Sequence, residues 1–245
     1  MCPAGNHPAF ILPSDQRAQL WRYTDFTKYM DFLERRALFF SRSDLLGDPY
    51  EGSSSHANVT LHAEKYQPAL PDAVRKQLSA SNAWARQWTF INCWHQNDAE
   101  SAAMWRLYAR SNEAVAMMTT FDQLREALPE DTFVGLVQYI DYSKDWLPEG
   151  NTYFPYIHKR LSFAHEREVR AVIQALPADS GKILVGKANP ELGKLVPVDV
   201  ERLVNEVRVA PTAPDWFFEL VKKATNRCGL DALVHRSSLD QPPVF

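Results

Sequence analysis

The sequence predicts a single α+β domain, and three observations lead there. Runs rich in Val, Ile and aromatic residues, which favour strands, are interspersed with segments of helical period. No repeat, low-complexity tract or obvious interdomain linker divides the 245 residues. A hydrophobic content of 45% is ample for one core. Residues 1–19 read as a polar, Pro-containing lead and 20–245 as the domain.

The elements follow in order. Leu20–Tyr23 reads as a strand, and Phe26, Tyr29, Met30 and Leu33 then recur at helical spacing. Leu38–Ser41 is the next strand. Asp44–Ser55 carries turn formers at almost every second position and reads as a loop. Residues 56–70 have weak periodicity, whereas 71–88 form a helix opened by Pro71 and Asp72. Trp88–His95 alternates as a strand, and Asn97 with Glu100 matches a capping box for a helix bearing Ser101, Met104, Trp105 and Tyr108 on one face. A strand over Ala114–Met118, a helix over Phe121–Leu128 with Thr120 and Gln123 as a second capping box, and an alternating strand over Phe133–Tyr142 come next. Further on, Lys194–Val198 and Glu206–Ala210 read as strands around a short helix at Val200–Asn205. A helix over Asp215–Cys228 stops at Gly229, and Ala232–His235 is the last strand.

Composition narrows the function classes. A net charge of -3 and a pI near 6.2 disfavour a dedicated duplex-binding protein while leaving a local basic patch open. Cys2, Cys93 and Cys228 stand far apart without a C-x-x-C pair, so neither a disulfide framework nor a zinc ribbon is indicated. A reducing, cytoplasmic setting is the simplest expectation. The start lacks the pattern of a secretory signal, and no window has the apolar length of a membrane span.

The most informative stretch runs from Lys159 to Ile173, where four basic residues, a histidine and two carboxylates precede an apolar run. If 166–173 is extended, Glu166, Glu168 and Arg170 share one face at intervals of roughly 6.5 to 7 Å, with Val169, Ala171 and Ile173 on the other. A helix would instead pair Glu166 with Arg170 on the surface. The β-branched residues favour the strand. A carboxylate held among cations stays ionised and oriented, ready to stabilise positive charge or accept a proton; a purely structural ion-pair network has the same signature.

Other constellations stand beside it. Arg22, between Trp21 and Tyr23, needs an anionic partner, whether a phosphate or an internal carboxylate. Asp48-Pro49-Tyr50-Glu51-Gly52 sets two carboxylates three residues apart in a turn. Trp105 and Tyr108 are core candidates that also suit the wall of a planar-ligand site. Cys93 and His95 lie two apart without a third orienting residue, which favours a buried structural cysteine. A magnesium-dependent nuclease would recruit Asp48, Glu166 and Glu168 with Lys159 nearby, but Arg170 stands where such enzymes place a lysine. A non-catalytic module capturing an anion or nucleotide is a further reading.

Taken together, Leu20-Trp21-Arg22-Tyr23, Leu38-Phe39-Phe40-Ser41, Asp48-Pro49-Tyr50-Glu51-Gly52, Met104-Trp105-Arg106-Leu107-Tyr108, and Lys159 with Glu166-x-Glu168-x-Arg170 resemble the prokaryotic domain-of-unknown-function family 2971. More distantly, the order of features resembles the ADP-ribosyltransferase fold. That resemblance implies a mixed, largely antiparallel split sheet flanked by helices, with NAD as substrate and either transfer of ADP-ribose to a nucleic-acid or protein acceptor or simple hydrolysis of NAD, as in an NAD glycohydrolase. It implies Glu168 as the catalytic carboxylate with Glu166 beside it, and Arg22 on the pyrophosphate. Ser41 matches the family's later-strand position, although no Ser-Thr-Ser triplet is present. Tyr23, Asp48, Tyr50, Glu51, Trp105, Tyr108, Lys159 and Arg170 complete the expected pocket, with toxin or phage-defence roles as the implied biology.

Overall fold

A computed structural model describes residues 4–61, 71–109 and 111–245. Along the chain run β1 (Gln19–Asp25), α1 (Phe26–Arg35), β2 (Ala37–Arg42), α2 (His56–Thr60), α3 (Asp72–Ala85), β3 (Thr89–Gln96), α4 (Ala102–Tyr108), β4 (Ala114–Thr120), α5 (Phe121–Ala127), β5 (Phe133–Leu136) and β6 (Gln138–Ile140). There follow β7 (His158–Arg160), β8 (Glu168–Gln174), the hairpin β9 (Ala178–Asp179) and β10 (Lys182–Ile183), β11 (Gly193–Pro197), α6 (Val200–Leu203), β12 (Glu206–Val209), α7 (Asp215–Arg227) and β13 (Leu233–Arg236).

The main sheet is mostly antiparallel and forks at β3. One edge of β3 pairs with β8 from Thr89 opposite Gln174 to His95 opposite Glu168, and β8 in turn holds β5. The other edge is shared. Ile91 and Phe90 pair with Ser41 and Arg42 of β2, while His95 and Gln96 pair with Trp21 and Leu20 of β1. One arm therefore runs from β2 to β11, and the other from β1 through β4 and β12 to β13, which alone in this sheet is joined in parallel.

Alternation along these strands buries one face under α1 and α7, with Tyr29, Leu33, Phe217 and Val221 packed on Phe40, Phe90, Trp94, Val115 and Val169. A buried hydrogen bond of 2.9 Å between the Tyr29 and Thr225 hydroxyls ties the two helices together. The opposite face carries Cys93, His95, Glu168 and Arg170, which the register aligns as two rungs. Caps set the helix ends. The Asp25 carboxylate accepts from the Lys28 amide, and Thr120 with Gln123 forms the expected capping box on α5.

Several boundaries differ from expectation for identifiable reasons. The alternating run 133–142 breaks at Val137, whose amide bonds to Glu168 before the Gln138 amide turns to Ile157, so the chain leaves β8 for β7. The helix expected over 71–88 ends at Ala85 and tightens into a 3-10 turn. Ser101, not Asn97, caps α4, which leaves Glu100 outside the helix. The lead packs against the domain: Ala4 is buried, Gly5 bridges to Phe133 and Ile11 to Leu136. Part of the weakly periodic 56–70 stretch, residues 62–70, lies outside the described residues, and α2 precedes it. Among the described residues no helix is long and apolar enough to cross a membrane.

Candidate functional site

The strand that begins at Glu168 supplies the centre of the site. Its Glu168 and Arg170 side chains share the polar face, as alternation requires. Glu166, expected on the same strand, lies one turn earlier in a 3-10 segment. Arg167 then adopts a left-handed conformation with φ of 39° and redirects the chain. Lys159 of β7 nevertheless joins the two carboxylates, donating to Glu166 Oε2 and, at 3.2 Å, to Glu168 Oε2. Arg170 donates to the same Glu168 oxygen through Nε at 3.2 Å and Nη2 at 2.9 Å. Its outer fork grips Glu51 and the Tyr156 carbonyl.

All five ionisable groups are buried, so three carboxylates face two cations and the cluster carries a formal charge of -1. Burial alone would raise the Glu168 carboxyl, but Arg170, Lys159 and a hydrogen bond from the Cys93 thiol hold it down at about 2. Burial would likewise lower the Lys159 ammonium, yet Glu168, Glu166 and Glu51 hold it up. Tyr108 and Tyr139 stay neutral: desolvation, with Glu168 and Glu166 beside it, pushes both hydroxyls up. Tyr108 donates to Glu166 Oε1 at 3.1 Å, and the Tyr139 oxygen accepts the Glu168 amide at 2.8 Å.

The acidic turn closes one side. Asp48 accepts a fork of two hydrogen bonds from Arg160, at 3.1 and 2.8 Å. The Arg160 guanidinium stacks over Tyr50 at 4.4 Å and Phe163 at 5.2 Å. Gly52 is required here. It sits at φ of 73°, and a Cβ would stand 2.6 Å from the Tyr156 ring. Tyr50 and Tyr108 are the exposed aromatic rings of this region.

Four expected residues do not join. Trp21 pairs with His95, and His95 with Glu168, so Trp21 and Tyr23 share the face of Glu168 while Arg22 points to the opposite, core face. There Arg22 sits over Trp94 at 5.9 Å, its Nη1 buried without a hydrogen-bond partner among the described residues, and desolvation lowers its pKa. Arg22 and Glu168 therefore lie on opposite faces of the sheet. Tyr23 is buried, its oxygen accepting the Ser101 amide at 2.7 Å. Ser41 pairs with Ile91, four residues along β3 from His95 and so roughly 13 Å away. Trp105 is buried and donates to Glu100 at 2.8 Å.

Sequence reasoning did not assign Arg160 to Asp48, Tyr139 to Glu168 or a role to His95. It also missed Glu100, whose carboxylate gathers the Trp105 indole, Arg208, and the Ser237 and Ser238 hydroxyls. These donors outweigh burial and hold Glu100 at about 2. The Ser237-Ser238 pair was visible in the sequence, but its partner 137 positions away was not.

No family model matches the chain and no curated protein matches it, so the expected membership of family 2971 is not shown. Among solved structures, Thermus sp. 2.9 DarT in complex with carba-NAD+ is similar over 92% of this chain and 98% of its own, at 8% identity and a TM-score of 0.42. The same protein in complex with NAD+ is similar over 94% of this chain and 100% of its own, at 10% identity and a TM-score of 0.41.

Proposed function

We propose that this chain cleaves the nicotinamide–ribose bond of NAD and transfers ADP-ribose to an acceptor, with Glu168 as the charge-stabilising carboxylate. The observation that carries this reading is the buried excess of one carboxylate over the cations around it, centred on an ionised, rigidly held Glu168. Breaking that bond develops positive charge on the ribose ring. A preoriented carboxylate in a dry site stabilises the charge without reorganising. Glu166 lies beside it, and the exposed rings of Tyr108 and Tyr50 offer stacking surfaces for a planar base. This reading assigns no phosphate contact to Arg22. A nucleic-acid or protein acceptor, as in toxin or phage-defence chemistry, is its natural extension.

The magnesium-nuclease alternative is disfavoured by contacts: Lys159 and Arg170 occupy the space between Glu51, Glu166 and Glu168, and Asp48 is committed to Arg160. The deciding experiment is nicotinamide release from NAD by wild type and Glu168→Gln. Turnover that the substitution lowers by about 10² to 10³, with the fold intact, is expected. Thermal stabilisation by NAD without any turnover would leave a nucleotide-binding module instead.

A further inference from the structure

His95 is buried on β3, directly opposite Glu168. Its Nδ1 lies 2.6 Å from the Glu166 carbonyl oxygen. A carbonyl only accepts, so Nδ1 carries the proton, and in the neutral ring Nε2 is a bare lone pair. That Nε2 is buried and has no hydrogen-bond partner among the described residues. The groups around the ring are Cys93 on the same strand face, Tyr23 from β1 at 6.3 Å between ring centroids, and His165, Glu166 and Arg167 from the turn before β8. Burial, with Arg167 and His165, lowers the imidazole pKa against the opposing pull of Glu166, which favours the neutral ring.

The neighbouring carboxylate leaves a task undone. Glu168, held at about 2 with Oε2 shared by Lys159 and Arg170, is a weak base, although well suited to stabilising charge. Resting on the NAD-cleaving reading, we propose that His95 Nε2 is the proton acceptor for the nucleophile that captures ADP-ribose, which assigns the acceptor to neutral O–H or N–H groups rather than carboxylates. As the acceptor atom bonds to ribose C1′, the C1′–N bond breaks and its electron pair leaves with neutral nicotinamide. The acceptor's proton passes to Nε2, and the resulting imidazolium faces Glu168. Reaching Nε2 requires the acceptor to displace part of its cover, and a donor brought by the ligand recovers the free energy lost in leaving that lone pair unpaired.

His95→Asn tests this, because its amide nitrogen retains the donor to the Glu166 carbonyl while removing the base. Nicotinamide release and acceptor modification, with water as the simplest acceptor, are followed from pH 5 to 8, alongside thermal stabilisation by NAD. The expected result is a loss of about 10²-fold or more and disappearance of the acidic limb of the rate profile, with NAD stabilisation retained. An active His95→Asn protein that keeps the limb overturns the role of His95 alone. Wild type that releases no nicotinamide overturns the cleavage reading and this assignment with it. Nitrogen NMR of the histidine side chains gives a separate check: a proton on Nε2 of the resting protein overturns the proposal whatever the kinetics.

Discussion

Glu51 and Arg170 stand 119 positions apart and meet through two parallel hydrogen bonds, 2.7 Å from Nη1 to Oε2 and 2.6 Å from Nη2 to Oε1. Both side chains are withdrawn from solvent. The pair pins the acidic turn onto β8, and the remaining edge of the guanidinium holds Glu168 in place. Glu51→Ala would strand Arg170 with fewer partners in a dry site. A loss of about 3–5 kcal/mol in urea unfolding is expected; a loss below about 1 kcal/mol would show that the turn is not held this way.

Acid should weaken the fold through Glu100. Its folded pKa of about 2 lies below the usual 4.5, so its contribution is complete above pH 4.5 and is lost as the pH falls toward 2. With its side chain 1% exposed, the full contribution is on the order of 3 kcal/mol. Stability of wild type and Glu100→Gln measured from pH 6 to 2.5 should converge toward the acid end. Parallel curves would contradict the assignment. Glu168 adds to the wild-type decline in the same window and the same direction.

Arg22 should be replaceable. Its Nη1 is buried over the Trp94 ring without a hydrogen-bond partner among the described residues, so exchange for an apolar side chain of similar length removes an unsatisfied donor. Arg22→Met is expected to leave stability within about 1 kcal/mol of wild type, or to raise it, and to leave nicotinamide release unchanged. Loss of turnover in a stable Arg22→Met protein would place this residue in ligand binding after all.

The Cys93 thiol should be inert. Burial pushes its pKa up, Glu168 beside it does the same, and Arg170 opposes them only in part. Native protein treated with a thiol-alkylating reagent at pH 8 should keep Cys93 unmodified by mass spectrometry until urea unfolds it. Rapid labelling of the folded protein would reopen the nucleophile reading.

Much of this arrangement was legible in the sequence where the encoding is local. Alternation placed Glu168 and Arg170 on one face of a strand, and Thr120 with Gln123 announced the start of α5. Glu166 was assigned the right neighbours by the wrong route: Arg167 breaks the extended run, and Lys159 restores the convergence from β7. Asn97 and Glu100 have capping-box spacing, but Ser101 takes the cap because the Glu100 carboxylate is drawn to Arg208 and the Ser237-Ser238 turn.

By itself the sequence determined which residues are strand-like, which side chains within a strand share a face, and that dense opposite charge lies beside an apolar run. Only the tertiary structure decided which face of one strand matches which face of another. Trp21, not Arg22, is aligned with Glu168, because register is transmitted through His95 of β3, and a one-residue slip would have reversed the outcome. The same holds for Glu51 with Arg170 and Asp48 with Arg160: such pairs form wherever folding brings complementary charges together, and no periodicity along the chain records the partner.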